Sequence, residues 1–395
     1  MIEHPVAVLA VLLGVLAGLF TLASHPAGQR FFRAVPLLLF AYFVPTALSN
    51  TGVIPVESAV YEAIKDWLLP ASLLLLTMSV DIPAILKLGR NLLILFLAGT
   101  VSVVLGGPLA YLALGWMVPA QLADQAWRGL AALSGSWIGG GANFVAIGQS
   151  VEATDTTLAL MVVVDVALAN AWMAVLLLFA GHDEQMDAAL GANRRSLDDL
   201  RRKIDAFQRA VGRQTTLKDF FQILTLAVAA TVVARAVAPS LPRWGGIVGS
   251  FAWTVIIVTA LGVAISFTAL RNLEGAGAGK IGSVLLYLLV ASIGAKAKLA
   301  EVFQVPALML IGALWITFHA LVLLALRRLL RAPVFYLAVG SQANIGGAAS
   351  APIVAAAFHP SLAPVGALMG VAGYVLGTYC GLVCAFLLRW VHSLM

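Results

Sequence analysis

Two stretches of this chain cannot be ordinary membrane-spanning helix. One reads Gly-Ser-Trp-Ile-Gly-Gly-Gly-Ala-Asn from Gly135 to Asn143; the other reads Gly-Ser-Gln-Ala-Asn-Ile-Gly-Gly-Ala-Ala-Ser from Gly340 to Ser350. Both lie inside apolar runs, both begin Gly-Ser, and both contain Ile-Gly-Gly and an asparagine. Glycine is a poor helix former. A helix broken at membrane depth persists only where its freed backbone groups line a cavity or are buried in protein. A matched pair of breaks, one in each half, points to the binding site of a secondary transporter.

The membrane setting follows from composition. The chain is 61% hydrophobic and 11% charged, against about 25% charged for a soluble domain. The charge of +6 sits mostly between apolar runs, so it reads as loop charge facing anionic headgroups rather than as a nucleic-acid surface. Cys380 and Cys384 are the only cysteines, and they show neither a disulfide framework nor a metal spacing. HExxH, P-loop and dinucleotide fingerprints are absent, so the chain is not expected to be an enzyme or to hold a cofactor beyond a coupling ion. Met1-Ile2-Glu3-His4 lacks the positive start of a signal peptide, and the first apolar run is expected to be retained.

Apolar segments near 5–23, 34–50, 57–79, 91–115, 129–150 and 156–180 are followed by others near 219–238, 246–268, 281–299, 306–327, 332–357 and 362–390. That is about twelve candidate spans at about 20 residues each. The chain divides into an N-terminal half (1–180, core helices 91–180), a polar linker (181–218) and a C-terminal half (219–395, core helices 306–390). Within the linker, Leu197, Leu200, Ile204, Phe207 and Val211 mark an amphipathic helix. The halves read as an internal duplication, about 34–180 and 246–390, aligning Ile138–Asn143 with Ile345–Ser350. Topology conflicts with this count. An inverted repeat needs an odd number of spans between equivalent helices, and simple alternation puts Arg30, Arg33, Lys87 and Arg90 opposite the basic linker. The segment 219–238, with Arg235 inside it, is the weakest span.

If each broken segment crosses as two half-helices, their N-termini present partial positive charge and their C-termini carbonyls. Ser136, Gly139, Gly140, Gly141 and Asn143 in the first, and Ser341, Gln342, Asn344, Gly346 and Gly347 in the second, are the expected solute- and ion-binding residues. Ser350, Asn170 and His319 are secondary candidates, a lone histidine on an apolar helix being more often an interhelical hydrogen-bonder. Asp165 is a lone acid in mid-span, a functional residue by default, and the expected ligand of a coupling sodium or proton. Lys296 and Lys298 are expected to snorkel, and Glu62, Lys65 and Asp66 to form an interfacial network. Gly366, Gly370, Gly373, Gly377 and Gly381 mark a close-packing face, expected against the second broken helix.

The two break motifs, with Leu68-Leu69-Pro70-Ala71-Ser72-Leu73, Ser79-Val80-Asp81, Ile293-Gly294-Ala295 and Gly370-Val-Ala-Gly-Tyr374-Val-Leu-Gly-Thr378, resemble the YjcL-like family of bacterial and plant membrane proteins. That family has long been known only as a domain of unknown function. It is distantly similar to sodium–proton antiporters, bile-acid sodium symporters and glutamate–sodium symporters. In the antiporters an acid lies in the span after the first crossing helix, a place comparable to Asp165. The resemblance implies an all-α polytopic protein of two inverted repeats, each with a broken, crossing helix, forming core and scaffold domains. It implies cation-coupled symport, by sodium or proton, of a small anionic solute. A cation–proton antiporter is the alternative, and a non-transporting receptor or assembly factor is the alternative of another class. The expected setting is the bacterial inner membrane, as a homodimer through scaffold helices, with no nucleic-acid partner.

Overall fold

The computed structural model describes residues 2–34, 37–86, 88–192, 215–244, 247–297, 306–359 and 362–395. The expected amphipathic helix over Leu197–Val211, and Lys87 and Lys298, lie outside the described residues. So do the side chains of Arg30 and Arg33. Among the described residues the protein is helical without strands, an all-α polytopic membrane protein. Eight helices are long and apolar enough to cross a membrane.

In the first half, α1 is Pro5–Ser24, α2 Leu37–Asn50, α3 Leu69–Met78, α4 Arg90–Leu114, α5 Ala123–Ser150 and α6 Asp155–Ala180. In the second half, α7 is Leu217–Val237, α8 Ser250–Ser266, α9 Ala278–Lys296, α10 Pro306–Leu330, α11 Val334–Ile345, α12 Gly347–Phe358 and α13 Ala363–His392. A π-helical turn, Ile64–Leu68, leads into α3. Pro70 follows it and has no N–H to give the carbonyl of Asp66. Arg235 of α7 supplies the donor instead (2.8 Å), pairs with the Asp66 carboxylate (3.0 Å) and lies over the Trp67 ring. This accounts for an arginine within α7, whose hydropathy is that of a span.

The two broken segments do not cross. Arg128 donates to the carbonyl of Val151, and Thr154 N–H to Gln125 Oε1 at 2.9 Å. A straight helix would hold Arg128 and Val151 about 35 Å apart. The chain instead reverses at Gly140, the one residue of α5 outside helical geometry, and residues 141–150 return along residues 123–139. The second segment does the same: the Phe335 and Phe358 rings meet at 5.4 Å, and Gln342 Nε2 donates to Ser350 Oγ at 2.7 Å. Arm lengths agree with this reversal. The 12 residues of α11 or of α12 span about 18 Å, well short of a hydrocarbon core of about 30 Å. The expectation of crossing broken helices is therefore corrected: both are re-entrant hairpins.

The hairpins enter from opposite faces. Helix α6 runs alongside the outgoing arm of the first hairpin in the same direction, with Asp165 beside Ser136 and Met161 beside Gly129. Helix α10 runs with α6, placing His319 beside Trp172 and Gly312 beside Leu168, and opposite to α4, placing His319 on Ser102 and Trp315 on Gly107. The arm α11 then descends as the first hairpin ascends. The eight membrane-length helices among the described residues include α5, and its reversal at Gly140 removes it from the count of crossings. The topology conflict in the sequence arises from counting each hairpin as a span.

Helices α4–α6 and α10–α13 pack around the hairpins, and α2, α3, α7, α8 and α9 pack mainly with one another. Between the groups, Asp155 at the start of α6 pairs with Lys296 of α9 (3.0 Å) and its carbonyl accepts from Tyr42. Lys296 also pairs with Glu62 at 2.9 Å, so this lysine is held in an ion-pair network rather than snorkelling.

The hairpin topology has a direct test. Single cysteines at Trp116 and Glu152, placed in a background with Cys380 and Cys384 replaced by alanine, flank the first hairpin; cysteines at Arg331 and His359 flank the second. Each pair is expected to react with a membrane-impermeant thiol reagent from one side only, the two pairs from opposite sides. Reaction of Trp116→Cys and Glu152→Cys from opposite sides would restore a crossing helix.

Candidate functional site

The hairpin tips touch. Gly140 has φ 73° and ψ −173°, and Gly347 has φ 58°, left-handed values that glycine adopts without a Cβ penalty. A Cβ on Gly347 would lie 3.7 Å from Gly140 Cα. Neighbouring glycines permit the approach of α13: a Cβ on Gly139 would meet the Gly373 carbonyl at 2.6 Å and Gly377 Cα at 2.7 Å. The glycine face of α13 serves both hairpins. Gly366 and Gly370 pack on Ala351 and Ala348 of α12, whereas Gly373, Gly377 and Gly381 pack on Ile138, Gly139 and Ile147 of α5.

Asn143 and Asn344 are fully buried and held alike. Asn143 Nδ2 donates to the carbonyls of Gly139 (3.0 Å) and Tyr374 (3.2 Å), and its Oδ1 accepts from Thr378 Oγ1 (2.7 Å). Asn344 Nδ2 donates to Gly340 (2.9 Å) and Phe96 (3.0 Å), and its Oδ1 accepts from Thr100 Oγ1 (2.8 Å). Each amide thus ties its hairpin to a long helix, α13 or α4, through a threonine and the carbonyl four residues before it. Both amide hydrogens of each asparagine are spent. The sequence carries the receiving motif twice, as Phe96-Leu-Ala-Gly99-Thr100 and Tyr374-Val-Leu-Gly377-Thr378. Glycine there makes room, since a Cβ on Gly99 or Gly377 would strike the asparagine amide. Sequence reading passed over Thr100 and Thr378; this repeated aromatic-x-x-Gly-Thr pattern was the available signal.

Asp165 faces the outgoing arm of the first hairpin, about one helical turn before the tip. Its Oδ2 accepts from Ser136 Oγ (2.5 Å) and its Oδ1 from Trp137 Nε1 (2.8 Å). No basic residue pairs with it among the described residues. The carboxyl is thus held by neutral donors alone, where a bound cation or a proton would supply the missing counter-charge.

His319 and Ser341 form a closed chain deeper in the bundle. Ser102 Oγ donates to the Gly99 carbonyl (2.7 Å), so His319 Nδ1–H donates to Ser102 Oγ (2.7 Å). His319 Nε2 then accepts from Ser341 Oγ (2.7 Å), which accepts from Trp172 Nε1 (2.7 Å). The chain joins α4, α6, α10 and α11 through a neutral imidazole. Asn170 donates to the Val166 carbonyl of its own helix (2.8 Å). At the second tip the Gln342 amide lies over Gly346, where any Cβ would strike both it and Ser350 Oγ. Gly141 opens the returning arm of the first hairpin.

Thr100→Val and Thr378→Val are each expected to lower unfolding stability by about 1 kcal/mol, the scale of an interhelical hydrogen bond in a membrane protein. Thr317→Val is the control, its hydroxyl bonding only its own helix at Ala313, and it is expected to unfold like wild type. Thermal unfolding of the purified protein in detergent checks all three. Equal stability of the four proteins would mean that the threonines do not hold the hairpins.

Over 390 residues the chain is 28% identical to the uncharacterized membrane protein YjcL of Bacillus subtilis (strain 168), covering 93% of each chain. A family model described as "Protein of unknown function (DUF819)" matches residues 9–391, through both hairpins and both groups of helices. The chain therefore belongs to the DUF819 family of integral membrane proteins.

Proposed function

We propose that this protein is a secondary active transporter that couples a cation, sodium or proton, to symport of a small anionic organic solute. The observation that carries this reading is the contact of two re-entrant hairpin tips, entering from opposite faces, at Gly140 and Gly347. Each tip joins the C-terminus of one helical arm to the N-terminus of the next. Returning arms from Gly141 and Gly347 direct free N–H groups at the junction, favouring an anionic group, while α11 and the outgoing arm of α5 direct carbonyls there. A polar junction of this kind at mid-membrane is costly unless it is occupied or hydrated in use.

Asp165 is the coupling residue in this reading. It stands beside the first hairpin with neutral donors only, so loading and unloading a cation changes the charge balance near the hairpin tip. Packing of α2, α3, α7, α8 and α9 apart from the hairpin-bearing helices supports a scaffold against which that core moves. Exchanged packing of α2 on α9 and α8 on α3, with α4 on α10, supports an internal duplication with opposite sense in the two halves. With the hairpins read as non-crossing, Arg90, Arg271, Lys280, Arg327, Arg328 and Arg331 support a cytoplasmic linker with both termini on the other side.

The test is flux in proteoliposomes. Vesicles holding a trapped pH indicator, or loaded with labelled sodium, are challenged with mono- and dicarboxylates under separate sodium and proton gradients. Solute-dependent cation movement is expected from wild type, and Asp165→Asn is expected to lose it while keeping wild-type folding. Sodium–proton exchange without added solute would establish the antiporter instead. Absence of any ion or solute movement across a broad carboxylate panel would remove the transporter reading.

A further inference from the structure

We infer that the tip of the second hairpin binds a monovalent metal cation through the Gln342 side-chain oxygen. Gln342 is 1% exposed. Its Nε2 donates to Ser350 Oγ across the tip at 2.7 Å, while Oε1 has no hydrogen-bond partner. Leaving a buried amide carbonyl unpaired costs on the order of 1–3 kcal/mol, and more where no water competes. A buried acceptor left so, on an amide whose nitrogen and Ser350 Oγ fill the space at Gly346, is accounted for by a ligand.

The surroundings choose the ligand. Gly346 N–H bonds back to the Gln342 carbonyl at 2.9 Å, closing one acceptor of the last turn of α11. The carbonyls of Ala343, Asn344 and Ile345 have no partner within that helix, and the C-terminal dipole adds partial negative charge. The side-chain amide hydrogens of Asn344 are not available to an anion here, being spent on Gly340 and Phe96. The end of α11 thus offers oxygen acceptors, beside the free N–H groups that begin α12. All of these oxygens are neutral, and no group of three or more acidic, histidine or cysteine side chains occurs among the described residues. A divalent ion would lack the counter-charge that buried ions require. A dehydrated monovalent cation held by carbonyl and amide oxygens fits, as in carbonyl-lined filters. Ser350 is a positioning residue: by accepting from Nε2 it turns Oε1 away from itself. This places cation binding at the second hairpin, distinct from Asp165 at the first, and it rests on the transporter reading only for its purpose.

The experiment titrates the purified full-length protein in detergent with sodium, potassium or lithium chloride against N-methylglucamine chloride at constant ionic strength, reading the thermal midpoint. Wild type is expected to be stabilised by one of the metal cations. Gln342→Leu is expected to weaken that cation's midpoint about tenfold or more, one ligand's worth, Gln342→Glu to retain or tighten it, and Ser350→Ala to weaken it. A wild-type midpoint in Gln342→Leu overturns the site, as does the absence of any cation-dependent shift in wild type. Should Gln342→Leu fail to fold, Gln342→Glu and Ser350→Ala decide: neither differing from wild type also overturns it. Stabilisation that follows the anion would show the amide nitrogen facing the site and equally sink the proposal. Cation binding needs no vesicle, so binding without flux defeats only the transporter reading, and flux with Gln342-independent binding defeats only this one.

Discussion

Everything in this molecule depends on ending helices inside a membrane without leaving their backbone groups unpaired. A hairpin tip in hydrocarbon exposes the last carbonyls of one arm and the first N–H groups of the next, each costing several kcal/mol if orphaned. Two buried asparagines anchor the hairpins that carry these ends. Asn143 and Asn344 each take the carbonyl of a glycine four residues back and the carbonyl of an aromatic residue on a neighbouring helix, and each accepts from a threonine there. The hairpins are thereby fixed to α13 and α4, and the glycine face of α13 can close against both. Remove that anchoring and the tips have no reason to meet.

Because the tips meet, the two halves can act on one point from opposite faces. The 12-residue arms of the second hairpin are about half a bilayer long, short of the length a crossing needs. One base is closed by Arg128 on Val151 and by Gln125 on Thr154. The other is capped from the linker side, where buried Asp187 accepts from Val334 N–H and pairs with Arg327. The two hairpin bases are thus anchored independently of one another.

Much of this was legible in the residues. Breaks at Gly140 and Gly346–Gly347, the glycine face of α13 and the isolation of Asp165 all follow from rules about what lipid tolerates. Other roles were shifted by partners that sequence does not reveal. Lys296, which looked like a snorkelling lysine, bridges Glu62 and Asp155. Arg235, which weakened the case for a span, supplies the hydrogen bond that Pro70 cannot. The asparagines, which looked like free solute ligands, are saturated by threonines hidden in two otherwise apolar helices. In each case the missing information was the identity of a side chain more than a hundred positions away.

By itself the sequence determined that this is a polytopic helical protein with two matched interruptions, because hydropathy and helix propensity act locally along the chain. It also contained, unread, the repeated aromatic-x-x-Gly-Thr motif that receives the two asparagines. Only the tertiary structure decided whether the chain continues or turns back at Gly140 and Gly347. A glycine at positive φ removes the steric bar to both courses, and the choice between them rests on which distant surfaces can satisfy the freed backbone. The same choice decides whether each break counts as a crossing. It also left one Gln342 oxygen without a partner, a property that belongs to no residue alone but to the packing around it.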